Sequence, residues 1–289
     1  MFRRHFLLGA AMALATPYVS RASAAEPNTI FYNAVETVDD TSLAAKALKL
    51  ALSKCATKYS LQPSPTGYPT QSGAMNALGN GGQLDILWVG TEKSLAKQAL
   101  PVLFPIDGGL LGYRLFLINA ARQDEFSQVK SLDDLRRFIA IQGPGWGDIA
   151  ILRNSGLTVR TGLYKNLFRM TVGGRADYFP RAGFEALNEQ AQHVGEAPGL
   201  AVESSLILKY PFCLMFYVSK SRPELQRDIL AGLIAAHEDG SYQAMFKADA
   251  NIGKALTAGH LDQRRLIEIP NPNMPDDVAA IDRRYWFSV

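Results

Sequence analysis

The seven residues Gln142-Gly143-Pro144-Gly145-Trp146-Gly147-Asp148 have the types and spacing of a small-molecule crevice. Phe138-Ile139-Ala140-Ile141 lead into them and read as a buried strand. Gly143, Gly145 and Gly147 let a backbone come close to a partner, and Pro144 stiffens the turn. A helix opening near Gly147 would aim unpaired N–H groups and its positive dipole end at whatever lies above, with the flat face of Trp146 beside it. In an open α/β sheet such a strand-to-helix crevice is a common ligand position. The same residues also suit a plain βα turn over a packed tryptophan. They do not form a dinucleotide fingerprint: Gly143-x-Gly145-x-Gly147 lacks the final two-residue gap and no acidic partner is placed for it.

No other reactive constellation stands out. Cys55 and Cys213 are the only cysteines. Paired in an oxidising compartment they would close a long loop, worth about 4–5 kcal/mol in the chain-entropy model. Cys55 is expected on a helix and Cys213 in a strand, settings that suit two buried thiols equally well. Neither has a histidine placed to make it a nucleophile. His193, His237 and His260 are isolated surface or capping residues and give no zinc pattern, so neither metal nor cofactor is expected.

Residues 1–24 read as an export leader, with Arg3-Arg4, a weakly apolar run from Phe6 to Ala15, and Ala22-Ser23-Ala24 as a small-x-small cleavage site. Arg3-Arg4-His5-Phe6-Leu7 also fits a twin-arginine core, and the apolar run is too short for a spanning helix. Of the 30 basic residues the leader holds Arg3, Arg4 and Arg21, which leaves 27 against 27 Asp and Glu. That balance gives no electrostatic case for nucleic acid or an anionic membrane as partner. No cysteine adjoins the cleavage site, so the expectation is an unanchored periplasmic monomer.

The elements that must position the crevice alternate between strand and helix, the pattern of an α/β sheet. Strands are expected at 29–33, 84–89, 113–119, 138–141, 159–161 and 176–180, and over 206–218 with a break at Lys209-Tyr210-Pro211. Helices are expected from Thr41 or Ser42 to about Tyr59, then over 72–78, 132–137, 163–172 and 184–192. Ser131 with Asp134 resembles a capping box, and Ser221 with Pro223 and Glu224 opens a helix to about His237. The last helix is expected at 242–247, and Tyr285-Trp286-Phe287 is apolar enough to pack back on the body.

Asp85-Ile86-Leu87-Trp88-Val89-Gly90, Ser131-Leu132-Asp133-Asp134-Leu135, Gly174-Arg175-Ala176-Asp177 and Glu238-Asp239-Gly240-Ser241-Tyr242 follow one another in a known order. Together they resemble the extracellular solute-binding proteins of family 3, the periplasmic receptors of amino-acid ABC importers. Gln142 to Asp148, with Tyr178-Phe179-Pro180-Arg181 and Glu185, is similar to an uncharacterised transporter-like branch of that family. The resemblance implies an α/β, two-lobed type II periplasmic-binding-protein fold with two hinge strands. It places the first lobe at 26–115 plus 213–289 and the second at 116–212, with crossings near Arg114–Leu117 and Tyr210–Cys213. It further implies a non-catalytic receptor closing on a small polar solute, amino-acid-like or carboxylate, with an ABC permease or a membrane sensor as partner. Two rivals remain: a ligand-free sensor or scaffold module, and a periplasmic dehydratase of cyclic amino-acid precursors using Glu185 or Asp177 as acid.

One departure bears on the ligand. Receptors of this kind usually carry an arginine after the first-lobe strand to clamp a carboxylate. Here the segment is Gly90-Thr91-Glu92-Lys93-Ser94-Leu95-Ala96-Lys97, with Ser94 or Leu95 at that position, and neither can make a bidentate fork. Arg181, expected just past a strand end, is either the substitute clamp or an exposed arginine paired with Glu185. Asp177 matches a position that meets ligand amines, or is a strand-end acid bonding nearby backbone. Trp146 and Trp88 stack on a ligand or pack in the core. Gln142 opens the crevice turn, and Asp148 complements a helix dipole. Arg114, costly to bury alone, pairs with an acid across the crossing or reaches the cleft.

Overall fold

Ile30, Ile86 and Phe216 are fully buried and sit on three neighbouring strands, so the apolar runs around them close one sheet over one core. The structure, a computed structural model, describes residues 28–34 and 42–287; the leader with its twin-arginine motif lies outside the described residues. In chain order the elements are β1 (Thr29–Tyr32), α1 (Leu43–Ser53), β2 (Ser60–Pro63), α2 (Gln71–Gly79), β3 (Ile86–Gly90), β4 (Leu100–Pro101) and β5 (Tyr113–Asn119). Then come α3 (Gln123–Ser127), α4 (Leu132–Leu135), β6 (Ile139–Gln142), α5 (Asp148–Asn154), β7 (Thr158–Thr161), α6 (Tyr164–Val172), β8 (Tyr178–Ala182) and α7 (Gly183–His193). The remainder is β9 (Leu200–Val202), β10 (Leu206–Lys209), β11 (Leu214–Val218), α8 (Pro223–Glu238), α9 (Ser241–Ala248), α10 (Ala250–Thr257), β12 (Arg265–Glu268) and α11 (Asp276–Ala279).

The strands make two sheets, one ordered β2-β1-β3-β11-β4 and the other β12-β10-β5-β8-β6-β7, with β9 beside β5. The apolar stretch 206–218 is divided between them: Leu206 and Leu208 enter one core, Phe216 and Val218 another. Pro211 has no N–H to donate to a ladder, so the chain leaves one sheet there and residues 210–213 cross to the other. The second connection is 102–112, from β4 to β5. Residues 114–117 lie inside the second sheet, in antiparallel register with β8 from Arg114↔Ala182 to Leu117↔Phe179, so the crossing falls before them. After residue 213 the chain serves both sheets. Arg265–Glu268 pairs in parallel with Leu206–Lys209, and α10 packs on α7, because the β10 edge is otherwise uncovered.

Differences from the expected elements have local causes. α1 stops at Ser53, short of Tyr59, because Ser60–Pro63 pairs in parallel with β1 as a short polar edge strand, where a proline is tolerated. Cys55 therefore lies past the helix and Cys213 one residue before β11; both are free thiols. α8 starts at Pro223 as expected, but Arg222 precedes it without a side-chain cap, and the Ser221 hydroxyl pairs with that of Ser219 at 2.9 Å. β8 runs two residues further than expected and takes Arg181 into the sheet. The tail does pack back: Phe287 N donates to the Gly108 carbonyl at 2.8 Å, and Tyr285 meets Phe104 with ring centres 4.9 Å apart.

Candidate functional site

β6 and β8 run parallel, so their carboxyl ends, Gln142 and Ala182, point the same way out of the second sheet. On that side a cleft of about 690 Å³ opens between the two sheets. Trp88, Gly90 and Gln71 line it from the first-sheet side; Arg114, Trp146, Asp148, Arg181, Glu185 and Glu189 line it from the second. Phe212, from the crossing segment, joins both walls.

The cleft is built around a buried ion network. Arg114 Nη2 lies 2.6 Å from Asp148 Oδ1, and its Nε donates to Tyr210 Oη at 2.9 Å. Tyr210 Oη in turn donates to Asp148. Arg181 sends Nε and Nη2 to the two oxygens of Glu189, each at 2.7 Å, and Tyr164 Oη donates to the same carboxylate at 2.9 Å. Glu185 joins the halves, 2.9 Å from Arg181 Nη2 and 3.6 Å from Arg114 Nη1, and also accepts the Ala182 N–H at 3.0 Å. Burial works against both guanidinium charges, yet the surrounding carboxylates outweigh it and hold both pKa values above the ordinary arginine range. For Glu185 burial prevails: despite Arg181 and Arg114, its pKa is raised above the usual carboxylate range, helped by Glu189.

The crevice turn resolves into three different contacts. A Cβ at Gly143 would fall 2.4 Å from the Trp146 indole, so that glycine accommodates the turn's own tryptophan. Gly145 has φ +81° and a Cβ there would lie 2.3 Å from Ser72 Oγ, so this is where the turn meets α2 from the other sheet. Trp146 in turn lies under Arg181, 4.9 Å from ring centre to guanidinium carbon. α5 is seven residues long and Asp148 is its first, so its positive end meets a carboxylate of the chain itself. Asp148 is therefore more than a dipole partner: it is the counter-charge of Arg114, on the same side of the cleft and not across the crossing.

The structure brings Arg114, Trp146, Trp88, Arg181 and Glu185 to one cleft, but not Asp177 or Gln142. Asp177 precedes β8 at the opposite end from Arg181; its carboxylate pairs with Arg122 and accepts the Ile139 N–H at 2.5 Å. Gln142 is fully buried and donates to the Pro180 carbonyl at 3.2 Å, cross-linking β6 and β8. Arg181 is neither past a strand end nor exposed. Its fork is already filled by Glu189, so it is not a clamp open to an anion. Trp88 lines the cleft while stacking on Tyr32, with ring centres 5.9 Å apart. At the position of the missing first-lobe arginine, Leu95 is buried in the core and Ser94 donates to Glu92 at 2.8 Å. Sequence reasoning missed Glu189, Tyr164, Tyr210 and Phe212. The spacing of Glu185 and Glu189, one helical turn apart, was the available signal for the first.

Asp107 braces the other connection. Its fully buried carboxylate accepts N–H bonds from Gly109 at 3.2 Å, from Leu111, and from Leu214 of β11 at 2.9 Å. Burial outweighs these bonds and pushes its pKa up to about 6.

No family model matches the sequence, and no curated protein matches it. Solved structures do resemble it in fold. An ancestral arginine-binding protein bound to glutamine shares 18% identity over 78% of this chain and 99% of its own, at TM-score 0.55. The ancestral amino-acid-binding protein AncCDT-1, a precursor of cyclohexadienyl dehydratase, shares 17% over 77% and 95%, at 0.53. A chain from glutathione import via GshT and the cystine ABC importer TcyBC of Streptococcus mutans shares 16% over 78% and 95%, at 0.57. At these identities the likeness defines the architecture: the chain has the two-lobed α/β fold of type II periplasmic binding proteins.

Proposed function

We propose that the protein is a periplasmic solute receptor, exported by its leader, whose lobes close on a small polar solute and present it to an ABC permease or a membrane sensor. The first lobe is built on the β2-β1-β3-β11-β4 sheet and the second on the β5-centred sheet with α10 and β12 added, joined at 102–112 and 210–213 and again where the chain passes from α9 to β12 and from β12 to α11. The observation that carries this reading is the cleft itself, a cavity of about 690 Å³ lined from both sheets by aromatic and charged side chains. A solute that touches both walls favours the closed form by those extra contacts. A solute present at 100 times its Kd stabilises by about 2.7 kcal/mol, which raises Tm by about 5–10 °C for a chain of this size. A thermal-shift screen of amino acids, dicarboxylates and polyamines, with native mass spectrometry for a co-purified solute, reads this directly. No shift with any class and no retained solute would overturn the receptor reading.

Glu185 supports a second reading. A carboxyl with a raised pKa in a cleft is suited to general acid work, as in a dehydratase. Turnover of prephenate or arogenate by the purified protein, abolished in Glu185→Gln, would establish it; no turnover removes it.

A further inference from the structure

The charged groups of the cleft are unequal in number and in exposure. Two guanidinium groups, Arg114 and Arg181, face three carboxylates, Asp148, Glu185 and Glu189, in one connected network. The side chains of Arg114 and Arg181 are 2% and 10% exposed, whereas that of Glu185 is 25% exposed. Asp148 and Glu189 are buried as deeply as the arginines, at 7% and 8%, so Glu185 alone is the charged group of this network that a solute meets first. Outside the network Lys46, 38% exposed, also lines the cleft, and it is bound to the buried Asp249 at 2.7 Å, which supplies its counter-charge. Trp88, an aromatic residue of the kind that attracts cations, also lines the cleft.

Resting on the receptor reading, we infer that the solute presents a cationic nitrogen to Glu185, and that a free α-carboxylate on the solute weakens binding. A carboxylate entering this cleft finds no open arginine fork among the described residues and adds to a network in which carboxyl groups already outnumber guanidinium groups three to two. An ammonium or guanidinium group finds a partly exposed carboxylate whose charge its arrival stabilises, in a cleft that Trp88 also lines. The solute class is thus an amine, in place of the amino acid that the fold alone would suggest.

Matched pairs that differ only in the carboxylate test this on the purified full-length protein: agmatine with arginine, cadaverine with lysine, putrescine with ornithine, tyramine with tyrosine. In calorimetry at least one amine should bind ten or more times tighter than its amino acid. Glu185→Gln keeps an acceptor for the Ala182 N–H but removes a counter-charge from Arg181 and Arg114, so its unliganded Tm should fall, and measured on the folded variant it should weaken that amine at least tenfold. The wild-type comparison stands by itself should the variant fold poorly. An amino acid that binds as well as its amine, or a neutral or dicarboxylic solute that binds where no amine does, overturns the inference and leaves the receptor reading standing. Absence of binding across every solute class overturns both.

Discussion

Replacing Asp148 by alanine distinguishes a residue that decorates a helix end from one that holds the cleft together. Arg114 is 1% exposed and has Asp148 at 2.6 Å; without it the nearest carboxylate is Glu185 at 3.6 Å, and Tyr210 Oη loses the acceptor of its proton. Removing one partner of a buried ion pair costs about 3–5 kcal/mol, whereas a first-turn acid acting only on the helix dipole contributes about 0.3–1 kcal/mol. The expected loss in urea unfolding is thus about 3–5 kcal/mol, with Tm falling by about 6–20 °C. Because a buried pair replaced by apolar residues of similar volume is often neutral or better, Arg114→Met combined with Asp148→Leu should recover most of the loss. A single-variant loss below about 1 kcal/mol, or a double variant no more stable than the single, would refute the buried-network argument.

Gly145→Ala places a side chain on a residue with φ +81° and 2.3 Å from Ser72 Oγ, and should cost about 1–3 kcal/mol in urea unfolding, only part of it recovered by Ser72→Ala. Asp107 has a folded pKa of about 6 against a usual value near 3.8, so its contribution to stability is full below pH about 4 and is lost as pH rises through 6. The loss by pH 7 is about 3 kcal/mol; Asp107→Asn should flatten the stability profile between pH 4 and 7, and a wild-type stability share that instead grows over that range would contradict the assignment. Trp146→Ala removes the ring under Arg181 and should weaken any bound solute at least about tenfold, or about 1.4 kcal/mol, in calorimetry. Burial pushes the Cys213 thiol well above its usual range and the Cys55 thiol less so, so a thiol reagent at neutral pH should label Cys55 slowly and Cys213 only on unfolding.

How far the fold could be read depended on whether an element declared itself by local pattern. β5, continuous and apolar from Leu115 to Ile118, was recovered over its full length, and Pro211 marked the point at which one apolar run becomes two strands in two sheets. β2 and β12 were missed because each is an edge strand with little buried surface: of Arg265-Leu266-Ile267-Glu268 only Ile267 is buried, so no alternation shows. α10 was missed despite an N-cap in plain view, since Asp249 Oδ1 accepts from Asn251 and Ile252 at 3.0 and 3.1 Å. Missing β12 and α10 also made the chain after residue 213 look as if it served one lobe only.

The site was readable as a set of residue types but not as a set of partners. An arginine within an apolar strand signals that a counter-charge must exist, because burying it alone is too costly. Which acid supplies it depends on register and crossover, and the partners lie 34 and 71 residues further along the chain, at Asp148 and Glu185. Asp148 already had a sufficient local explanation at a helix start, which hid its long-range one. Arg181 shows the converse error. Its type and its place next to a strand end suggest a free fork, but a fork is free only if no side chain of the protein fills it, and Glu189 two turns along α7 does. The step from carboxylate clamp to amine site therefore follows from occupancy, which sequence does not display, and from the exposure of Glu185, which only the folded arrangement of α7 over β8 determines.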